Sequence, residues 1–221
     1  GIVATINAAQ NGLKVILCEE DFVLGGRLNS EHEVINGKDA SEWLVKKCTE
    51  IAQSKNVRIL SRTTVYGAFD HGIFGALERK TDHLSKSTGK PRQILWRIYS
   101  KKSLLTAGAL ERSIVFGNND RPGIMLSGAL RSYLNRWGVC PGRKIVIFTN
   151  NNDGWRTARD LKEKGCNVTA IVDTREKSSD QLEGVLTFKG RQIINTRGHK
   201  GIKSITLDDG TLLELDCLAV A

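Results

Sequence analysis

Apolar positions along the chain follow two alternating rhythms, one helical and one strand-like. "GIVATINAAQNG" opens with helical spacing: Val3, Ile6, Asn7 and Gln10 leave a stripe with Ala4, Ala8 and Ala9, and Gly12 is placed to end it. "KVILCEE" follows as a short apolar run ending in acids, read as a buried strand. A second helix is expected over Ala40 to Ser54, with Trp43, Leu44, Lys47, Cys48 and Ile51 on its inner face. "VRILSRTTVYGAF" then supplies two strands. "HGIFGALERKTDHL" and "QILWRIYSKKSLLTAG" predict an antiparallel meander with a loop at Ser85 to Pro91, and "SLLTAGA", Ser103 to Ala109, predicts a strand dissolving into small residues.

The rhythm then repeats. Leu126, Leu130, Tyr133 and Leu134 give a helical stripe closed by Gly138. "KIVIF" is a strand, Trp155 to Lys164 a helix with Asn152 or Asp153 as cap and Gly165 as stop, and "NVTAIVDT" a strand ending in Asp173. "QLEGVLTF", "RQIINTRG" and "KSITLDDGTLLELDCLAVA" are further strands, with Asp209-Gly210 as a hairpin turn. The fold class expected is therefore α/β: two Rossmann-like βαβ units, each followed by an antiparallel meander, as in FAD/NAD(P)-binding proteins of the disulfide-reductase type. Residues 1–115 make the first unit, 116–141 a connecting turn and helix, and 142–221 the second unit. The chain opens on the helix of a βαβ unit and closes on an apolar strand, which reads as a fragment truncated at both ends.

Composition narrows the function. The 221 residues include 40% hydrophobic and 26% charged positions, an ordinary globular balance. No apolar run is long enough to span a bilayer, so no membrane partner is expected. The net charge of +9 is scattered and carries no nucleic-acid motif, which argues for one anion site and against nucleic acid. Five separated cysteines without a C-x-x-C argue against a metal or disulfide framework and for a reducing, cytoplasmic compartment; Cys18 and Cys217 read as core.

The candidate chemistry is nucleotide binding. Gly1 stands where the last glycine of G-x-G-x-x-G opens a helix. About 18 residues further on comes Glu19, near the spacing at which an acid meets the adenosine ribose. Glu20 competes with it for that role. An acid there favours a free 2′-hydroxyl, hence NAD or FAD over NADP. Gly25 and Gly26 allow close backbone approach, and Arg27 follows. The second unit differs: "VIFTNNNDGWRTARDL" puts Asn150, Asn151 and Asn152 where glycines belong. Those side chains would crowd a pyrophosphate, so the second unit is expected to keep the nucleotide fold and give up the ligand, with Asp173 a relic or a cap. A nucleotide held through those turn amides is the alternative.

The segments "RTTVYGAFDHGIFGALERKTDHL", "PRQILWRIYSKKSLLTAGALERSIVFGNNDRPGIMLSGALRSYLNR" and "VIFTNNNDGWRTARDLKEKG" resemble the α subunit of heterotetrameric sarcosine oxidases, over nearly the whole chain. The resemblance includes the "NNDRPG" turn, Asn118 to Gly123, which a generic dinucleotide fold does not need. It implies an NAD-binding middle region of a larger subunit. FAD and FMN would lie elsewhere in the complex, the β, γ and δ subunits would be partners, and tetrahydrofolate would bind a region outside this sequence. The implied reaction converts sarcosine to glycine, hydrogen peroxide and formaldehyde, or methylene-tetrahydrofolate. Carried onto this sequence, the NAD site includes Gly1, Glu19, Gly26 and Arg27, with Val65 along the adenine and Thr106 and Gly108 beside the pyrophosphate. "TAGA" here replaces a more usual "ATGA", so Thr106 and Ala107 could exchange roles. The resemblance supplies no catalytic residue and no metal ligand on this stretch. Related amine, opine or cyanide-forming glycine dehydrogenase subunits are the alternative. A self-contained disulfide reductase would need a redox cysteine pair and a glycine-rich second turn, and the sequence has neither. His71 reads as a loop histidine, His32, His83 and His199 as exposed, Trp96 and Trp137 as core, and Glu111-Arg112 as an interface or solvated pair.

Overall fold

A computed structural model describes residues 1–86 and 89–221. Its contacts divide the chain into two compact units. Unit 1 holds residues 1–28 and 32–108, and unit 2 holds 29–31 and 109–221.

In unit 1, helix α1 (Ile2–Gln10) leads to strand β1 (Val15–Cys18) through Gly12, whose φ of +75° suits glycine at a helix end. The inner face of α1 carries Thr5 and Ile6, whereas Val3, Asn7 and Gln10 are exposed. The stripe read from the sequence is thus turned by about one position, because polar Thr5 is buried. A short hairpin follows, β2 (Val34–Ile35) and β3 (Lys38–Asp39). Its turn residues Asn36 and Gly37 both have positive φ, 53° and 75°. Asn-Gly is the strongest short-range hairpin signal, and "EVINGKDA" carries it. Asp39 caps helix α2 (Ala40–Gln53), accepting from the Ser41 amide at 2.8 Å. Leu44 and Ile51 are buried on its inner face, as the spacing predicts.

Strand β1 pairs in parallel with β4 (Val57–Leu60). The run read as buried is only half so: Ile16 is 46% exposed and Cys18 is intermediate. Among the described residues β1 has one paired neighbour, so one edge stays uncovered. The meander is β5 (Thr63–Phe69), β6 (Ile73–Arg79) and β7 (Gln93–Tyr99), antiparallel in that order, as expected. His71 sits at φ +60° in the tight turn between the first two and is exposed. Trp96 is half-buried; its indole donates to buried Glu78 at 2.9 Å and the Arg58 guanidinium lies 4.5 Å from its ring. The loop expected at Ser85 to Pro91 lies partly outside the described residues. The strand expected at Ser103 to Ala109 does not form; the segment is irregular and exposed, and among the described residues no strand pairs with it.

Unit 2 has three layers. Its centre is a parallel sheet in the order β11-β10-β9-β15-β8. These strands are β8 (Ile124–Leu126), β9 (Ile145–Thr149), β10 (Val168–Asp173), β11 (Leu186–Lys189) and β15 (Cys217–Val220). All of β9 and β15 is buried, as continuous apolar runs in a sheet covered on both faces should be. Alternation sorts the side chains. Ile145, Ile147 and Ala219 face helix α3 (Ser127–Arg131) and helix α4 (Asn152–Glu163), against Leu130, Trp155 and Leu161. Val146, Phe148 and Leu218 face the antiparallel meander β12 (Ile193–Arg197), β13 (Ser204–Leu207) and β14 (Leu212–Glu214), against Ile193, Ile205 and Leu207. The Asp209-Gly210 hairpin turn forms as read, with Gly210 at φ +85°.

The helix read over Leu126 to Leu134 is shorter: Leu126 ends β8, α3 passes into a π-helical turn at Ser132–Arg136, and Tyr133 is 47% exposed. Trp137 is 56% exposed rather than core. The "NNDRPG" turn, 118–123, braces the meander. Asn118 Nδ2 donates to Asn195 Oδ1 at 2.8 Å, Arg121 Nε to Thr196 Oγ1 at 3.1 Å, and the Ile202 amide to Pro122 O at 2.9 Å.

Candidate nucleotide site

The residues expected to hold a nucleotide, Gly1, Glu19, Glu20, Gly25, Gly26, Arg27, Val65, Thr106 and Gly108, all fall in unit 1. Gly1 caps α1, its carbonyl accepting from the Thr5 amide at 2.9 Å. The first turn of α1 contains no acid, so its unpaired amides and the positive end of the helix dipole are not neutralised locally. A Cβ at Gly1 would lie 3.2 Å from Thr106 Oγ1 and 3.9 Å from Leu17 Cδ1. The fold therefore brings Gly1 and Thr106 together across about a hundred residues of sequence, and the missing side chain is what admits that approach.

Glu19 follows the last residue of β1 at its carboxyl end, where open α/β sheets place ligands. Its amide donates to Leu60 O at 2.9 Å and its carbonyl accepts from Thr63 at 2.8 Å, fixing it between β4 and β5. One carboxylate oxygen, Oε1, accepts from the Asp21 amide at 3.0 Å. Val65 is two residues beyond Thr63 and 45% exposed. Glu20 is directed differently: Oε1 accepts from Thr64 Oγ1 at 3.2 Å and its carbonyl from Arg79 Nη2 at 3.0 Å. Gly25 and Gly26 adopt φ of +129° and +54° and lead into a 3₁₀ turn, Gly26–Asn29, that carries Arg27. Gly108, at φ +72°, lies in the exposed segment after β7.

The second unit's turn is built from the same parts with different contents. In the spacing G-x-G-x-x-G the three glycine positions fall on Thr149, Asn151 and Gly154. Only the third, which serves helix–strand packing, is glycine. A Cβ there would lie 2.4 Å from Thr149 Cβ and 2.5 Å from Thr149 Oγ1. Gly154→Ala should therefore destabilise by about 1–3 kcal/mol, because the clash outweighs the roughly 1 kcal/mol helix-propensity gain; a urea midpoint unchanged or raised would contradict this. Asn151 is the helix cap, its Oδ1 accepting from the Asp153 amide at 2.8 Å. The cap is one residue before Asn152 and two before Asp153, the positions read from the sequence, and α4 begins three residues before Trp155. Thr149 Oγ1 donates to Asn151 O at 2.9 Å and accepts from its amide at 3.1 Å.

Asp173, at the ribose-acid position, is fully buried. Oδ2 accepts from Trp155 Nε1 at 2.8 Å and Arg175 Nη2 at 2.8 Å; Oδ1 accepts from Arg175 Nε and its amide, both at 3.0 Å. Arg175 Nη1 also donates to Asn152 Oδ1 at 2.7 Å, lashing the acid to the start of α4. Burial opposes ionisation of Asp173, but the Arg175 and Trp155 hydrogen bonds outweigh it and hold the carboxyl below its usual range. A depressed folded value gives stability that is full above the ordinary carboxylate range and lost as pH falls through the lowered value. Asp173→Asn should lower stability at neutral pH and shrink its acid-side loss; an unaltered slope of urea midpoint against pH would refute that role.

Sequence reasoning missed a buried ionic cluster beside α4. Arg131 is fully buried. It donates to Thr157 Oγ1 at 2.7 Å, Asp153 Oδ2 at 2.8 Å and Glu31 Oε1 at 3.1 Å. Burial works against its charge, but Asp153 and Glu31 hold the proton more firmly than usual. Glu111 accepts from the Gly128 amide at 2.7 Å, so the expected pairing with Arg112 is not what holds it. Burial, then Asp153, pushes the Glu111 carboxyl up. Only the "x-A-L-R-x" spacing could have hinted at Arg131, whose charge sits on the same helix turn as buried Leu130.

No protein-family model matches the chain. Three curated proteins do. The sarcosine oxidase subunit alpha of Rhizobium meliloti strain 1021 is 40% identical over 226 residues, covering 100% of this chain and 23% of that protein. That of Corynebacterium sp. strain U-96 is 36% identical over 240 residues, covering 100% and 25%. The chain is similar to a segment of sarcosine oxidase alpha subunits. It spans about a quarter of the length of these curated relatives. Among solved structures, the L-proline dehydrogenase of P. horikoshii superposes with a TM-score of 0.75 at 21% identity, over 100% of this chain and 39% of that one. Lactococcus lactis thioredoxin reductase gives 0.71 at 14% identity, over 99% and 72%. These likenesses show the fold expected from the sequence, two Rossmann-like units with antiparallel meanders. Among the described residues no group of three or more His, Cys, Asp and Glu could hold a metal, and no helix is long and apolar enough to cross a membrane.

Proposed function

We propose that the chain is the NAD-binding part of the alpha subunit of a sarcosine oxidase, in a flavin-dependent complex that converts sarcosine to glycine, hydrogen peroxide and formaldehyde or methylene-tetrahydrofolate. The observation that carries the reading is the 40% identity to a sarcosine oxidase alpha subunit over the whole chain. FAD, FMN and folate sites and the beta, gamma and delta partners belong to the rest of that assembly, which is placed in the cytoplasm. The proposed site is Gly1, Glu19, Glu20, Gly25, Gly26, Arg27, Val65, Thr106 and Gly108.

The residues of unit 1 fit a dinucleotide. The start of α1 offers unpaired amides to a pyrophosphate, and the missing side chain at Gly1 lets Thr106 Oγ1 stand beside them. Glu19 offers a carboxylate to ribose hydroxyls at the end of β1. When bound, NAD can supply a hydride acceptor; this chain's residues would bind and orient it. Unit 2 is proposed as a non-binding relative, because Arg175 already ties Asp173 to Asn152, and Asn151 already caps α4, where a nucleotide would sit.

The test is to denature the full complex, purified with its partner subunits, and identify released nucleotides by chromatography and mass. NAD beside flavins supports the reading, with peroxide formation from sarcosine as the following assay. FAD from this subunit without NAD would move it to the related amine, opine or cyanide-forming glycine dehydrogenases.

A further inference from the structure

The turn at 118–123 has no part in the nucleotide reading, yet it holds one wall of a cavity in unit 2. That wall is the connection 198–203 between β12 and β13. Arg121 Nη1 donates to Gly198 O and its Nε to Thr196 Oγ1 at 3.1 Å, while Pro122 O accepts from the Ile202 amide at 2.9 Å. The Lys203 amide closes the connection on Arg197 O at 2.8 Å. A Cβ at Gly198 would fall 1.9 Å from Gly201 O, so only glycine permits this path of the chain. The opposite wall is the run 214–216, with Lys144 just before β9. The cavity has a volume of about 520 Å³. It lies at the amino ends of β9 and β15, whereas open α/β sheets bind nucleotides beyond the carboxyl ends.

The floor is apolar: Ile202 and Leu215 line the cavity and belong to the buried core beneath it. The charges around it are not all free. The Lys144 ammonium is paired with Glu214 at 3.1 Å. Asp216 is turned to the backbone, Oδ1 accepting from the Arg143 and Lys144 amides at 2.9 Å and Oδ2 from the Arg143 amide at 3.1 Å. Lys200 and Lys203 also line the cavity, are exposed, and among the described residues meet no carboxylate. We propose that this cavity binds a small organic phosphate monoester, with the phosphate dianion between Lys200 and Lys203 and the organic part on Ile202 and Leu215. Two ammonium groups without carboxylate partners favour a doubly charged anion. The lining contains lysines and no arginine, so it offers point charges suited to phosphate and not the planar fork that grips a carboxylate at two atoms. Inorganic phosphate alone would leave the apolar floor uncovered. The site lies in unit 2 and does not depend on the NAD reading of unit 1.

The experiment uses the full complex, saturated with NAD so that the pyrophosphate site proposed in unit 1 is filled. Its lysines are acetylated with and without phenyl phosphate, at constant ionic strength and about pH 8, where the phosphate is a dianion. Peptide mapping by mass gives the rate at each lysine. With phenyl phosphate at about ten times its dissociation constant, Lys200 and Lys203 should react about tenfold more slowly, while the exposed Lys46 and Lys177 keep their rates. Inorganic phosphate should protect only at higher concentration, and Lys203→Gln should remove the protection of Lys200. Equal slowing at all four lysines would mean ionic screening only. That result, unslowed or unreactive Lys200 and Lys203, or equal protection by inorganic phosphate would each overturn the proposal. The wild-type rates decide the matter even if the variant does not fold.

Discussion

Arg131→Ala is expected to lower the stability of the chain by about 3–5 kcal/mol, the cost of breaking a buried ion pair by removing one partner. The truncation leaves Glu31 and Asp153 facing each other without their shared cation, and strips Thr157 Oγ1 of a 2.7 Å donor. Most of the loss comes from two carboxylates deprived of the buried cation they share, with Glu31 keeping Arg156 Nη1 at 3.4 Å, and not from the attraction forgone. Arg131→Met separates the two: it keeps much of the packing but not the charge, so it should recover only a small part of the loss at neutral pH. Chemical denaturation of both variants checks the claim. A loss under about 1 kcal/mol for the alanine variant would mean that the cluster behaves as a surface salt bridge.

Glu19→Ala is expected to reduce NAD retention by roughly 10- to 100-fold while leaving the fold intact. Each hydrogen bond from a ribose hydroxyl to a charged acceptor contributes about 1.5–3 kcal/mol, and every 1.4 kcal/mol is about tenfold in affinity. Glu20→Ala is expected to lower NAD retention less, since the Glu20 carboxylate turns to Thr64 Oγ1 instead. Equal NAD content in wild type and Glu19→Ala after gel filtration would remove Glu19 from the site. Loss in Glu20→Ala alone would exchange the roles of the two acids.

The two acids show how far local sequence could be read. The spacing from Gly1 placed both near a ribose and could not separate them, because they are adjacent and chemically alike. Backbone pairing to Leu60 and Thr63, about forty residues away, directs Glu19 one way and Glu20 another. The asparagine turn signals a helix start, but the cap lies one residue before Asn152 and two before Asp153. Three consecutive asparagines are equivalent as caps until the strand end and Arg175 choose among them. Tyr133 and Trp137 were read as core from helical spacing, and a π-helical turn at Ser132–Arg136 rotates them outward. The strand expected at Ser103 to Ala109 had the right composition, but a strand exists only when a neighbour accepts its hydrogen bonds.

Periodicity by itself determined the α1, α2 and α4 helices, the β1, β9, β10 and β15 strands, the two meanders and the Asp209-Gly210 turn, because side-chain alternation and turn chemistry are local properties. Tertiary structure alone decided which charges are buried and which distant groups meet: Arg131 with Glu31 and Asp153, Gly1 with Thr106, Arg175 with Asn152. Those meetings depend on how layers stack and which strands pair, and residues far apart in the chain carry no local mark of it.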